Sequence, residues 1–267
     1  MKAYRVHEYG DTAKFVKDEV NKPIAKKGHV VVEVKASSLN PIDHKLLKND
    51  LGINPALPGI LHMDVSGVIT EVGEEVTAFK VGDDIFGCAG GLQGEAGLIQ
   101  GALADFMLVD SNLIALKPKS LGFAESAALP LVTITAWEGL FDRASIKKDD
   151  HILIHGGAGG VGHIAIQLAR HYGARVATTV SSEAKAKLTR ELGAEDIIFY
   201  PKEKVKDYTQ RLTKGKGFDV VFDTIGADNL DKSLEAAKVS GQVISIIGGN
   251  KHDLTPMHMK GLSLHLV

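Results

Sequence analysis

A glycine-rich run, GGAGGVG at residues 156–162, lies between an apolar segment and an amphipathic one. The apolar segment HILIH (151–155) is typical of a buried strand, and GHIAIQLARHYG (162–173) has the spacing of a helix with one apolar face. Glycines let a backbone turn tightly and approach a pyrophosphate, and a helix N-terminus adds unpaired N–H groups with a partial positive charge. A purely structural turn also uses glycines, but the position of this run at the start of a strand–helix series favours dinucleotide binding. The predicted cofactor loop is Gly156, Gly157, Ala158, Gly159, Gly160, Val161 and Gly162.

The two parts of the chain differ in their sequence pattern. Residues 1–123 contain short apolar alternations interrupted by Pro, Gly and Asn, which is typical of a β-rich domain with tight turns. Beyond them, apolar segments alternate with amphipathic ones, and the stretches 120–141 and 229–240 have a helical pattern. Strands that alternate with helices predict βαβ units and a parallel sheet. We therefore expect an α/β protein in which a β-rich domain (1–123) precedes a doubly wound parallel sheet (124–267).

Composition disfavours several classes of protein. The 267 residues include 31 basic and 33 acidic side chains, a formal charge of -2, so no overall charge draws the chain to nucleic acid or an anionic membrane. The single cysteine, Cys88, excludes an internal disulfide and suits a reducing compartment. The charged N-terminal segment has no apolar stretch of the kind a signal peptide needs, and the longest uncharged stretch (152–169) is broken by glycines and histidines. We expect a cytoplasmic protein with no membrane span.

The end of the second predicted strand indicates which dinucleotide is bound. An NAD site usually has an acidic residue there for the ribose 2′-hydroxyl, whereas an NADP site has small polar and basic groups. Here VATTV (176–180) is followed by Ser181, Ser182, Glu183 and, two residues later, Lys185. We expect Glu183 in the first turn of the next helix, which leaves the serines and Lys185 to bind a phosphate and makes NADPH the predicted cofactor. The alternative is an N-cap serine and a solvated lysine.

Several motifs in a characteristic order carry a resemblance to a known family. They are KASSLNPIDHK (35–45), LPGILHMDVSGVITEVG (57–73), FKVGDDIFG (79–87), GALADFMLV (101–109), GGAGGVG (156–162), SSEAK (181–185) and FDVVFDTIG (218–226). Over essentially the whole chain, they resemble the zinc-independent quinone oxidoreductase branch of the medium-chain dehydrogenase/reductase superfamily. The resemblance implies a GroES-like catalytic domain, a Rossmann NADPH-binding domain, a quinone or α,β-unsaturated carbonyl substrate, and a homodimer. It also implies that Ser181, Lys185 and Tyr200, which have the family's spacing, bind the 2′-phosphate.

Zinc-dependent relatives hold their metal with side chains that this chain lacks. Their ligand positions fall on Asn40, Met63 and Leu131, which make no ordinary zinc site. A conceivable improvised cluster remains, although isolated histidines are more often packed or surface groups, and we expect no metal. Its members would be His44, His62, Asp64 and Cys88.

Without zinc, hydrogen bonds must polarise the acceptor, and the resemblance implies which residues lie near it. We expect the Asn40 amide to donate an N–H to the acceptor oxygen and Lys45 to add positive charge. The alternatives are a turn formed by the Asn40-Pro41 pair and a solvated helix lysine. The resemblance also places Asp43 as an orienting group, Thr135 near the nicotinamide ring, and Gly248 and Gly249 along the cofactor.

Members of the family continue for several dozen residues beyond the point at which this chain ends, so we expect the returning segment of the catalytic domain to be absent. The final residues GLSLHLV (261–267) are expected to form a strand of the nucleotide-binding domain.

Two other functions stay open at this point, a zinc-dependent alcohol dehydrogenase and a non-catalytic NADPH-binding protein. An enoyl-thioester reductase is a further neighbour that no motif excludes.

Overall fold

The computed structural model describes residues 1–94, 97–98 and 100–267, and the chain divides into two compact units, Met1–Leu131 and Val132–Val267. The division lies later than the change of sequence pattern at 123/124. The reason is a short helix, Phe123–Ala127, which packs against strands of the first unit. Residues that look like the start of the helical part thus belong to the β-rich one.

The first unit is built on antiparallel strands. Its strands are β1 (Lys2–Val6), β2 (Phe15–Glu19), β3 (His29–Ser37), β4 (Asp64–Val72), β5 (Asp84–Cys88), β6 (Gln93–Gly94), β7 (Gly97–Leu98), β8 (Phe106–Asp110) and β9 (Ile114–Leu116), and its helices are α1 (Pro41–Lys48) and α2 (Phe123–Ala127). The five-stranded sheet has the order β8-β3-β4-β5-β9, and β1 pairs with β2. The apolar faces of the larger sheet enclose a core that includes Val32, Ile69, Ile85 and Met107.

The second unit contains a parallel sheet of six strands, which are β10 (His151–His155), β11 (Arg175–Val180), β12 (Asp196–Phe199), β13 (Phe218–Asp223), β14 (Ala237–Ser245) and β15 (Ser263–Leu266). Their order in the sheet is β12-β11-β10-β13-β14-β15, which confirms the predicted α/β class. Its helices are α4 (Gly160–His171), α5 (Glu183–Glu191), α6 (Val205–Thr213), α7 (Asn229–Ala236) and α8 (Thr255–Lys260), preceded by α3 (Pro130–Trp137) and a π-helical turn (Glu138–Arg143). Separate apolar cores lie on the two faces of the sheet, one with residues of α4 and the other with residues of α6 and α7.

Two predicted helices differ from the structure. The stretch 120–141 is interrupted, because Pro130 has no N–H to donate to a preceding turn and instead begins α3. The stretch 229–240 is helical only to Ala236, and residues 237–240 belong to β14. The beginning of β13 pairs with Ala237, so strand pairing overrides the local helical pattern there.

The order of the parallel strands determines where a ligand can bind. From β10 the chain runs outward through β11 and β12, then returns to β13 on the other side of β10. The connections after β10 and β13 therefore leave the sheet in opposite directions and open a crevice at the carboxyl ends of these strands, which is where such sheets bind ligands. Among the described residues, no helix is long and apolar enough to cross a membrane.

Candidate functional site

The glycine loop joins β10 to α4 and packs more closely than any other residue type would allow. The backbone turns at Gly156, where φ is +73°. A Cβ atom on Gly157 would lie 2.1 Å from Thr178 Oγ1, and one on Gly162 would lie 2.3 Å from the carbonyl oxygen of Gly156. Both distances are far inside van der Waals contact, so these positions require glycine.

The outer part of the loop is open to solvent. Gly159, the N-cap of α4, and Gly160 are exposed, and a Cβ on Gly160 would have its nearest neighbour 3.5 Å away. Ala158 is half-buried, and Val161 packs on the core beneath α4. The N–H groups of the first helical turn have no acceptor within the helix. The loop therefore presents backbone donors and the positive end of the helix dipole to an anion.

The residues predicted to bind the 2′-phosphate lie at the ends of two paired strands. Val180 of β11 is paired with Phe199 of β12, so Ser181 and Tyr200 leave the sheet side by side. Ser182 is the N-cap of α5, its hydroxyl accepts a hydrogen bond from the backbone N–H of Lys185 (3.4 Å), and the exposed Lys185 lies in the first turn. The exposed fraction of Tyr200 is 58%. The structure thus brings these side chains to one edge of the sheet and leaves them accessible.

A cavity of about 730 Å³ opens beside them, and we call it the α6–α7 cavity. It is lined by the carboxyl ends of β10 and β11, by the connection from β12 into α6, and by the connection from β13 into α7. The buried Asp223 at the end of β13 shapes its rim. This carboxylate accepts hydrogen bonds from the backbone N–H groups of Ile225 and Gly226 (both 2.9 Å) and from the side chains of Asn229 (3.1 Å) and Ser233 (2.9 Å).

His155, the last residue of β10, lines the same cavity and is 3% exposed. Its Nδ1 is 3.3 Å from Thr179 Oγ1, which also accepts the backbone N–H of Gly156 at 3.0 Å. Burial lowers the pKa of His155 to about 4, and Lys232 acts in the same direction, although Asp223 opposes them. The imidazole is therefore neutral at physiological pH.

In the first unit, polar side chains converge on the fully buried Asp64 at the start of β4. One of its oxygens, Oδ2, accepts hydrogen bonds from Ser38 Oγ (2.6 Å) and Asn40 Nδ2 (2.9 Å). The other, Oδ1, accepts the backbone N–H of Leu131 at 2.9 Å. Burial raises the pKa of Asp64, and these hydrogen bonds oppose that effect. The carboxylate thus joins the turn before α1 to the backbone at Leu131, the last residue of the first unit.

Asn40 and Asp43 form the start of α1, where Asn40 is the N-cap. The Asp43 carboxylate accepts the backbone N–H of Asn40 at 2.8 Å, and burial raises the pKa of Asp43. The Asn40 amide nitrogen donates to Asp64 and, at 3.2 Å, to Ser38. Lys45 is exposed and lies two residues after the buried Asp43, so the two side chains leave α1 in opposite directions. The structure does not bring Lys45 into the cluster around Asp64.

The other predicted site residues lie in the second unit. Thr135 is half-buried in α3. Gly248 and Gly249 follow β14 and are exposed, and Gly249 has a φ of +105°, which favours glycine. Their role along the cofactor stays a prediction.

Comparisons with known proteins identify the family. Residues 26–119 match the alcohol dehydrogenase GroES-like domain, and residues 160–266 match the zinc-binding dehydrogenase family. A solved quinone oxidoreductase from Pseudomonas syringae is 32% identical, with a TM-score of 0.84 over 100% of this chain and 80% of its own. The chain belongs to the quinone oxidoreductase branch of the medium-chain dehydrogenase/reductase superfamily. This confirms the predicted family.

Two other members of the superfamily have higher sequence identity to this chain than that quinone oxidoreductase has. A solved alcohol dehydrogenase superfamily protein from Novosphingobium aromaticivorans is 40% identical, with a TM-score of 0.93 over 100% of this chain and 78% of its own. The NADPH-dependent alkenal/one oxidoreductase of Arabidopsis thaliana chloroplasts is 38% identical over 93% of this chain and 63% of its own length. The chain thus spans less than two thirds of that curated relative.

Zinc, which the superfamily's metal-dependent members use, does not fit this quinone oxidoreductase homologue. Of the three ligand positions, the Asn40 amide and the Leu131 backbone N–H both donate to Asp64, and Met63 offers only a thioether. Burial and the nearby Asp64 raise the pKa of Cys88 to about 12, so its thiol stays protonated. In residues 1–94, 97–98 and 100–267, no group of three or more His, Cys, Asp or Glu side chains is arranged to hold a metal ion.

Sequence reasoning missed the α6–α7 cavity and the role of Asp64. A polar residue at the end of an otherwise apolar strand was the available signal for the cavity, since HILIH ends in His155. For Asp64 there was no such local signal, because its partner Leu131 is 67 residues away.

Proposed function

We propose that this protein is a reductase that transfers a hydride from NADPH to a quinone or an α,β-unsaturated carbonyl compound, without zinc. The observation that carries the proposal is the glycine loop, where Gly157 and Gly162 leave no room for a Cβ while Gly159 and Gly160 are exposed to solvent. That combination fits a pyrophosphate lying against backbone N–H groups. The name of the Arabidopsis relative, an NADPH-dependent alkenal/one oxidoreductase, supports the same function.

We propose NADPH rather than NADH because the edge formed by β11 and β12 has a hydroxyl, a cation and a phenol where an NAD site has a carboxylate. The hydroxyls of Ser181 and Ser182, the ammonium of Lys185 and the phenol of Tyr200 are donors suited to a phosphate. The nearest acid in sequence, Glu183, lies in the first turn of α5 with its side chain 3.7 Å from Arg190. NADPH when bound supplies the hydride, and the protein supplies binding and orientation.

On the acceptor side, we propose Asn40 as the hydrogen-bond donor. Its bond to Ser38 is the longer of the two, at 3.2 Å, and Ser38 already donates to Asp64. An acceptor oxygen that replaces Ser38 would therefore leave the bond between Asn40 and Asp64 intact. Asp43 holds the backbone of Asn40 and is a positioning residue. We retain Thr135, Gly248 and Gly249 as residues that lie along the cofactor.

We also propose a cytoplasmic homodimer. Strand β15 is the outer strand of the parallel sheet and pairs on one side with β14. Its other edge has backbone donors and acceptors that a second copy of the chain can satisfy. Light scattering coupled to gel filtration would measure the mass, and a monomer at micromolar concentration would contradict the proposal.

A panel of quinones, enals, enones, saturated aldehydes and enoyl thioesters tests the activity, with oxidation of NADPH followed by absorbance. We expect turnover of quinones or of conjugated carbonyl compounds and none of saturated aldehydes. Binding of NADPH without oxidation by any acceptor would indicate a non-catalytic binding protein. A requirement for added zinc would contradict the zinc-free mechanism.

A further inference from the structure

Two residues that line the α6–α7 cavity each have a buried polar atom with no hydrogen-bond partner within the described part of the chain. The atoms are Nε2 of His155 and the hydroxyl oxygen of Tyr208, and each residue is 3% exposed. Buried polar groups in native proteins are nearly always paired, because an unpaired one loses its hydration without compensation. Two such atoms in residues that line one cavity point to a ligand that completes them.

Two neighbouring polar side chains, Asp223 and Thr179, are already hydrogen-bonded within the protein. Asp223 accepts four hydrogen bonds from the segment that begins α7. Thr179 Oγ1 is bonded to the backbone N–H of Gly156 and to His155 Nδ1. The buried imidazole is neutral, as its lowered pKa indicates, and a neutral imidazole bonded at Nδ1 has one further position, Nε2, for a ligand.

One wall of the cavity is apolar and suits the face of a flat ring, while charged side chains line other parts of it. Ile225, which is 50% exposed, contributes an aliphatic surface, and Gly226 and Ala227 continue the wall without bulk. Tyr200, one of the residues proposed to bind the 2′-phosphate, lines the same cavity. A ligand in the cavity is therefore next to the adenosine ribose of the proposed cofactor.

We propose that His155 and Tyr208 recognise the polar edge of the adenine base of NADPH by hydrogen bonds at Nε2 and at the hydroxyl. This proposal rests on the proposed function, which brings the adenosine to this end of the sheet. The base enters the cavity with its N1 and N6 edge towards the two buried atoms, and its faces lie against the apolar wall. The two residues thus determine specificity for the base, in addition to the groups that select the 2′-phosphate.

The test compares two ligands and three variants by calorimetry. NADP⁺ has the complete edge, whereas 1,N6-etheno-NADP⁺ carries a bridge that removes the N6 donors and the N1 acceptor. We expect His155→Phe and Tyr208→Phe each to weaken NADP⁺ by about 3- to 10-fold, since one hydrogen bond is lost. Both variants should weaken the etheno analogue less than NADP⁺, because the bridged edge has lost the N6 donors and the N1 acceptor.

Thermal unfolding of the ligand-free protein provides the control. Removing a hydroxyl that is hydrogen-bonded within the protein lowers Tm, whereas removing an unpaired one does not. Tyr9→Phe removes a hydroxyl that donates to the carbonyl oxygen of Pro55, so it should lower Tm without changing NADP⁺ affinity. Tyr208→Phe removes a hydroxyl without a partner in the described part of the chain, so it should leave Tm unchanged or raise it. A fall in Tm as large as that of Tyr9→Phe would show a partner inside the protein and overturn the proposal.

Failure of this proposal is distinguishable from failure of the proposed function. If the wild type binds neither NADP⁺ nor adenosine 2′,5′-bisphosphate, the proposed function fails and this inference fails with it. If the wild type binds both, but His155→Phe and Tyr208→Phe weaken NADP⁺ and its etheno analogue by equal factors, only the recognition of the base is overturned. Unchanged NADP⁺ affinity in both variants would overturn it as well.

Discussion

Substitution of Gly162 by alanine tests whether close packing of the glycine loop is a requirement of the fold. The added Cβ would lie 2.3 Å from the carbonyl oxygen of Gly156 and 2.8 Å from the Cα of Gly157. Ordinary contact begins near 3.4 Å, so the loop and α4 must separate by about 1 Å. Both contacted groups are backbone, and no side-chain rotation relieves the overlap.

Overpacking of this kind costs about 1–3 kcal/mol. For a chain of this size each kcal/mol lowers Tm by roughly 2–4 °C, so we expect a fall of about 2–12 °C in the cofactor-free protein. NADPH affinity should also fall, by about tenfold or more, because the displaced N–H groups lose their alignment with the pyrophosphate.

Gly160→Ala is the matched control, since it makes the same chemical change in the same helix. Its Cβ would have Val132 Cγ1 at 3.5 Å as its nearest neighbour, which is an ordinary contact. Alanine also has the higher helix propensity, so Tm should stay constant or rise slightly. Differential scanning calorimetry of both variants provides the comparison, and equal Tm values for Gly162→Ala and Gly160→Ala would refute the packing argument.

The remaining predictions concern charge, pH and metal. Lys185→Ala should weaken NADPH by roughly 10- to 150-fold and leave NADH unchanged, because a charge-assisted bond to phosphate is lost; equal losses in titrations with both cofactors would remove Lys185 from the site. Asp64→Ala leaves the donors Ser38, Asn40 and Leu131 without their acceptor, so urea unfolding should show a loss of about 3 kcal/mol or more, and a loss below about 1 kcal/mol would contradict the role of Asp64. Since the folded pKa of His155 is about 4 and its ordinary value is 6.5, the unfolded chain binds more protons between these values, and unfolding free energy falls as pH is lowered through this range. His155→Phe should remove about 3 kcal/mol of that fall, and an unchanged pH dependence would count against a buried neutral imidazole. Chelators should leave Tm and NADPH oxidation unchanged, whereas activity lost to a chelator and restored by zinc would disprove the metal-free mechanism.

Most strands and helices of the second unit could be predicted from the sequence because its strands are buried on both faces. HILIH and VATTV are short runs of largely uncharged residues, and a helix with one apolar face separates them. Prediction was wrong for residues 237–240, where a helical pattern continues but the chain forms β14. The deciding contact is with β13, which begins 19 residues earlier, and no local propensity reports it.

The glycine loop and the polar cluster of the first unit show why one candidate site is predictable and the other is not. All the residues that shape the loop lie within 156–162, so spacing alone locates it. The cluster around Asp64 instead joins residues separated by 24 to 67 positions. From sequence, Asp64 belonged to a conceivable metal cluster, yet its oxygens are occupied by protein donors. Substituting Asn40 will therefore disturb Asp64 as well as any bound acceptor, so the stability of an Asn40 variant must be measured before its kinetics are read as loss of a catalytic hydrogen bond.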